Sequence, residues 1–136
     1  IRLGEKIYSP LIPLGGADLI LALEMTEGLR AVPYSGAKTT LLINKNYIHY
    51  HPELSEEKVK DKINLLAKNK ANLIPASEIC QKKLGKEVAA GIYLLGYGVF
   101  KKKIPLKPES ILKAIKKIVP EKHLELNKKA FNLAKK

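Results

Sequence analysis

The chain divides into blocks of apolar residues, and the spacing within each block predicts its element. Residues 1–10, IRLGEKIYSP, alternate apolar and polar positions around a Gly-Glu turn, which predicts a hairpin or edge element closed by Pro10. PLIPLGG reads as a connector. ADLILAL, residues 17–23, is continuously apolar after Asp18 and predicts a buried strand. It passes directly into a short helix over 24–32, where Met25, Leu29 and Val32 recur at i, i+4 and i+7. PYSG breaks that helix, and TTLLINKN, 39–46, predicts a second buried strand. YIHYHPEL follows as a loop.

Ser55 then caps a helix with Glu56 and Glu57 in its first turn, where the helix dipole favours negative charge. Its expected buried stripe is Val59, Ile63, Leu66 and Ala67. ANLIPAS predicts a short third strand ending at Pro75, and SEICQKKLG a helix closed by Gly85 at the C′ position. EVAAGIYLLGYGVF is apolar all round and predicts a buried helix whose glycines allow close packing. Pro108 opens the next helix, with a face of Ile111, Leu112, Ile115, Ile118 and Val119; Pro120 opens the last, with Leu124, Phe131 and Ala134 inward.

Strands alternating with helices predict an α/β fold of three α/β/α layers with a mostly parallel, Rossmann-like sheet and a helix-rich C-terminal half. Two or three strands are few for so many covering helices. The pattern therefore implies further strands, missing from this chain or supplied by a partner.

A length of 136 residues suits one domain, and 46% hydrophobic residues can supply its core. Apolar runs reach about five residues, far short of the roughly 20 that span a bilayer, and no secretory signal is visible. One cysteine, Cys80, excludes an internal disulfide framework and a cysteine-only metal site. A reducing cytoplasm is the expected setting. The net charge of +12 falls wholly on residues 54–136, since residues 1–53 balance five Arg and Lys against five Asp and Glu. Such asymmetry suits either an acidic partner or a lysine-rich solvated surface. Only two arginines occur, Arg2 and Arg30, which weakens the case for phosphate recognition.

Candidate chemistry is sparse. His49 and His51 would share one side of an extended segment, but two imidazoles make no metal site and His123 lies on a distant helix. Glu24 and Glu27 sit at the carboxyl end of a strand, where open α/β sheets keep their ligands. They could do acid–base work or supply first-turn negative charge to the short helix, and Arg30 could simply pair with Glu27. GYG at 96–98 lies inside an apolar helical run, the wrong setting for a phosphate loop. Cys80 has no basic or histidine neighbour to mark it as a nucleophile.

The order of IYSPLIPLGGADLILALEMTEGLRAVPY, TTLLINKN, ANLIPA, LLG and LELNKKAFNLA resembles the gamma subunit or gamma domain of 2-oxoacid:ferredoxin oxidoreductases, and within it the small-subunit branch of archaeal indolepyruvate ferredoxin oxidoreductases. The resemblance covers nearly the whole chain and rests on segment order. It implies one gamma-type domain over 1–136, incomplete at its N-terminus, because family members begin with a strand, a glycine-rich turn, a helix and an arginine-containing loop not matched here. A second departure is VAAGIY, where the family often carries an Asn. The family oxidatively decarboxylates a 2-oxoacid, passes electrons through iron–sulfur clusters to ferredoxin and forms an acyl-coenzyme A. Thiamine diphosphate and the clusters belong to other subunits, so the resemblance implies partners that bind them and no cofactor on this chain alone. It places Ser9, Pro10, Asp18, Glu24 and Glu27 on recurrent positions; these, with Arg30, are expected to serve the subunit interface or loop geometry before catalysis.

Two other readings remain at this point. A basic α/β nucleic-acid-binding domain would bind with steep salt dependence. A stand-alone enzyme using Glu24 and Glu27 would need a closed pocket and a shifted carboxylate pKa.

Overall fold

The computed structural model describes residues 1–50, 52–68 and 70–135. Its element order is β1 (Ala17–Ala22), α1 (Met25–Ala31), a 3-10 turn (Val32–Tyr34), β2 (Ser35–Asn44), α2 (Glu56–Leu66), β3 (Ala71–Ile74), α3 (Ala76–Leu84), a 3-10 turn (Glu87–Ala89), α4 (Ala90–Phe100), α5 (Pro108–Ile118) and α6 (Glu121–Leu133). The three strands form one parallel sheet in the order β1-β2-β3.

Alternation along the strands sorts the core into two faces. Ile20 lies beside Leu41, and Ala22 beside Ile43, on one face. There Met25 of α1 and Val59 and Ile63 of α2 close over Ala22 and Ile43. Leu21 lies beside Leu42, and Leu42 packs on the opposite face against Ala76 and Cys80 of α3 and Ala90 and Leu94 of α4. A helical layer therefore covers each side of the sheet, as the alternating pattern predicts. α4, apolar on every side, is the hub of the second layer. A Cβ added at Gly96 would fall 2.6 Å from the Phe131 carbonyl oxygen, so glycine is what lets α4 and α6 touch.

Several details differ from the sequence reading. Residues 1–16 contain no strand; Ile1, Leu3 and Ile7 are all exposed. Instead of a hairpin ladder, the Arg2 guanidinium donates to the carbonyls of Ser9 (2.8 Å) and Leu11 (3.1 Å) and draws the segment into a loop. β2 starts at Ser35 rather than Thr39, with an irregular step where Ala17 pairs Ser35 and Leu19 pairs Thr40. The Thr39 hydroxyl stabilises that step by donating to the Ala17 carbonyl and accepting from Gly36 N–H. Leu66 is exposed (56%), because the buried stripe of α2 runs Val59, Ile63, Ala67 and leaves Leu66 beside it. Ile118 is also exposed (77%): the backbone turns to an extended conformation at Val119, which takes the inward place.

Candidate functional site at the carboxyl edge of the sheet

In a parallel sheet every strand ends at the same edge, so the segments leaving the strands converge there. Here the converging side chains are Glu24 after β1, Asn44 at the end of β2 and Ser77 after β3. Glu24 is buried and is the N-cap of α1. Its carboxylate accepts from the N–H of Thr26 at 2.8 Å and from the N–H of Glu27, two of the donors that a helix start leaves without partners. Met25 N–H donates to the Asn46 carbonyl at 2.8 Å and pins α1 to the chain leaving β2.

Asn44 is 2% exposed and joins all three strand ends. Its Nδ2 donates to the Leu23 carbonyl (3.0 Å) and to Ser77 Oγ (2.9 Å), and its Oδ1 accepts from Ser77 N–H (3.2 Å). Lys45 N–H completes the lacing by donating to the Ile74 carbonyl at 2.7 Å. An amide suits this place because it donates and accepts at once. Neither Asn44 nor Ser77 is among the candidates that the sequence offers. The visible signal is an amide ending the apolar run LLIN, since a polar residue at full burial must be hydrogen-bonded.

The remaining candidates are dispersed. Glu27 pairs with Arg30 on the exposed side of α1. Asp18 is exposed on β1, beside the step in the ladder. Ser9 Oγ accepts from Leu11 N–H at 3.2 Å across Pro10, a serine-type turn, while the Ser9 carbonyl takes the Arg2 bond. The two carboxylates considered for acid–base work are thus occupied separately, Glu24 by backbone donors and Glu27 by Arg30.

A shallow cleft of about 290 Å³ runs between α1 and the loop after β2, lined by Thr26, Leu29, Arg30, Tyr47, Ile48, Tyr50 and Leu54. Tyr47 donates to the Leu54 carbonyl and also meets His49 Nδ1 at 3.2 Å, with the rings edge to face. The loop is held by its own aromatic residue. The lining is mostly apolar, its polar groups being one guanidinium, the Thr26 hydroxyl and the phenols of Tyr47 and Tyr50, and it holds no carboxylate, so the cleft suits packing better than proton transfer. His51, the other histidine of the HYH pair, lies outside the described residues. His123 is exposed on α6. Gly96 and Gly98 of the GYG triplet pack inside α4 against Phe131 and Ile104.

Cys80 is fully buried in the second layer, and desolvation pushes its thiol above the ordinary value of 9.0. The phenol of Tyr93 is likewise pushed up, mainly by burial, with Cys80 and Tyr97 adding to it. A raised thiol pKa is the opposite of what a nucleophile or metal ligand requires. Among the described residues no three His, Cys, Asp or Glu side chains gather to hold a metal ion, and no helix is long and apolar enough to cross a membrane.

Comparison with known proteins gives one consistent result. Residues 1–136 match the family described as pyruvate ferredoxin/flavodoxin oxidoreductase. The indolepyruvate oxidoreductase subunit IorB of Archaeoglobus fulgidus is 32% identical over 98% of this chain and 68% of its own length. The IorB subunit of Methanothermobacter thermautotrophicus is 27% identical over 96% of this chain and 69% of its own. That of Pyrococcus horikoshii is 27% identical over 98% and 69%. On a family match over residues 1–136 and a relative above 30% identity, this chain belongs to the pyruvate ferredoxin/flavodoxin oxidoreductase family.

Proposed function

We propose that the chain is an accessory, non-catalytic subunit of an indolepyruvate-type 2-oxoacid:ferredoxin oxidoreductase. The observation that carries this reading is the match along almost the whole chain to relatives that are each named as the IorB subunit of an indolepyruvate oxidoreductase. In the reaction so assigned, a 2-oxoacid loses carbon dioxide, its electron pair passes through iron–sulfur clusters to ferredoxin, and the acyl group ends on coenzyme A. Partner subunits hold the thiamine diphosphate and the clusters.

The chemistry of the side chains supports that division of labour. An iron–sulfur cluster takes about four thiolates, whereas this chain offers one thiol, desolvated inside the second layer. The donor set does not fit a cluster, and no reaction step is assigned to this chain through one. The polar groups at the carboxyl edge hold backbone instead: Glu24 starts α1 and Asn44 ties three strand ends together. What the chain contributes is a rigid α/β body on which a catalytic neighbour can be seated.

Affinity purification of the tagged chain from its native host tests the proposal. The expected result is recovery with a larger, iron–sulfur- and thiamine-bearing partner, and indolepyruvate-dependent reduction of a viologen dye by the recovered complex. Recovery of the chain alone, or with nucleic acid, overturns it.

A further inference from the structure

The turn joining α4 to α5 combines two features whose chemistries point to one kind of ligand. The first is a fixed apolar trough. Lys102 N–H donates to the Val99 carbonyl (3.1 Å) and Lys103 N–H to the Gly98 carbonyl (2.8 Å), closing α4 with Lys102 in the left-handed conformation at φ 55°. Ile104 N–H also reaches the Gly98 carbonyl (3.0 Å), and the Ile104 side chain is buried, which anchors the loop to the core. Pro105 and Pro108 stiffen the chain on the way into α5. Between this loop and α4 lies a cleft of about 430 Å³ with Val99, Phe100, Ile104 and Leu106 among its lining and Lys102 and Lys107 at its rim. Leu106 is 44% exposed.

The second feature is concentrated positive charge. Residues 101–107 read KKKIPLK, four lysines and no acid, and all four are exposed. Among the described residues none of the four is held by a carboxylate. The surrounding layer has the same sign: residues 75–136 hold fifteen lysines against five glutamates. Charges left unpaired around an apolar floor are complementary to a segment that brings carboxylates and an apolar side chain together.

We infer that the α4–α5 turn is the docking site for an acidic segment of a partner subunit, with a large apolar side chain seated in the trough and carboxylates meeting Lys102 and Lys107. The inference rests on the reading of the chain as a subunit of a complex and names the chemistry of the neighbour. A nucleic acid fits less well, because this layer has no arginine to grip phosphates in bidentate fashion.

The test uses the complex recovered from the native host. Zero-length carbodiimide coupling is expected to join lysines of 101–107 to Asp or Glu of a co-purifying subunit. The double variant Lys102→Glu with Lys107→Glu should raise the dissociation constant for that subunit about tenfold or more. The variant Lys116→Glu with Lys117→Glu, equal in charge on α5, should leave it within about twofold. Lys102→Gly removes one charge where glycine suits the backbone, so it should weaken docking without lowering the melting temperature. Equal loss in both double variants, unchanged binding in the first, or loss of binding to a single-stranded RNA oligonucleotide with assembly intact would each overturn the docking site while leaving the subunit reading in place. A wild-type chain that binds no subunit at all overturns both.

Discussion

Asn44 and Ser77, 33 residues apart in sequence, exchange two hydrogen bonds: the Asn44 amide donates to Ser77 Oγ at 2.9 Å and accepts from Ser77 N–H at 3.2 Å. With its further bond to the Leu23 carbonyl, this one buried amide ties together the chain leaving β1, β2 and β3. Replacing Asn44 with Ala would leave a buried donor and a carbonyl with no partner. Unmet buried groups cost about 1–3 kcal/mol each, so Asn44→Ala should destabilise the chain by about 2–4 kcal/mol. Urea denaturation measures it; a loss under about 0.5 kcal/mol would show that the strand ends are held by other means.

Close approach of α4 and α6 makes a second prediction. The Phe131 carbonyl oxygen lies 2.6 Å from where a Cβ at Gly96 would stand, and the Ala134 methyl lies 3.1 Å from it. Backbone cannot yield as a flexible side chain does. Gly96→Ala should therefore destabilise by about 1–3 kcal/mol through overpacking, despite alanine's better helix propensity. At Gly85, a left-handed helix end with open space around it, substitution by Ala should cost about 1 kcal/mol for a different reason, backbone strain. Comparison of the two by thermal melting separates crowding from conformation.

How much of this was legible in the chain depends on what each residue answers to. LILA and LLI announce strands because burial toward both helical layers leaves no polar position within them, and Ser55 with Glu56 and Glu57 announces α2 by local capping chemistry. Glu24 was ambiguous, since a carboxylate at a strand end reads equally as acid, base or cap; only its geometry toward the N–H groups of Thr26 and Glu27 decides. The alternation in residues 1–10 misled because a strand exists only where another strand pairs with it, and here Arg2 claims the carbonyls of Ser9 and Leu11. Ser77 was illegible, as its partner comes from a distant strand. The trough beneath Leu106 was equally hidden: the lysine run is plain in sequence, the apolar floor is a product of packing.

Glu24 as a cap and Glu27 as a surface charge predict unequal consequences. Glu24→Ala removes both acceptors at the start of α1 and should cost about 1 kcal/mol, with Glu24→Ser or Glu24→Asp recovering most of it. Glu27→Gln breaks an exposed pair with Arg30 and should change stability by less than about 0.5 kcal/mol. If Glu24→Asp abolishes activity of the reconstituted complex while stability is retained, the carboxylate has a chemical role that capping does not explain.

Burial of Cys80 and Tyr93 gives a prediction about pH. Both groups have their acid dissociation pushed up by desolvation, from ordinary values of 9.0 and 10.0. The folded state thus favours the protonated thiol and phenol, and above those ordinary values the unfolded chain releases protons that the folded chain still holds. Their contribution to stability is complete below the ordinary thiol value of 9.0, falls progressively as the pH rises past 9.0 and 10.0, and is gone once the pH exceeds the raised folded values. Denaturation midpoints measured from about pH 7 to about pH 11 should fall on the alkaline side. Cys80→Ala should flatten the first part of that fall at the cost of some packing at all pH values, and Tyr93→Phe the later part. The same burial makes native Cys80 slow toward a thiol reagent at about pH 8, with full reactivity only in denaturant. A fast reaction in the native state, or an alkaline limb unchanged by both substitutions, would refute this account of the second layer.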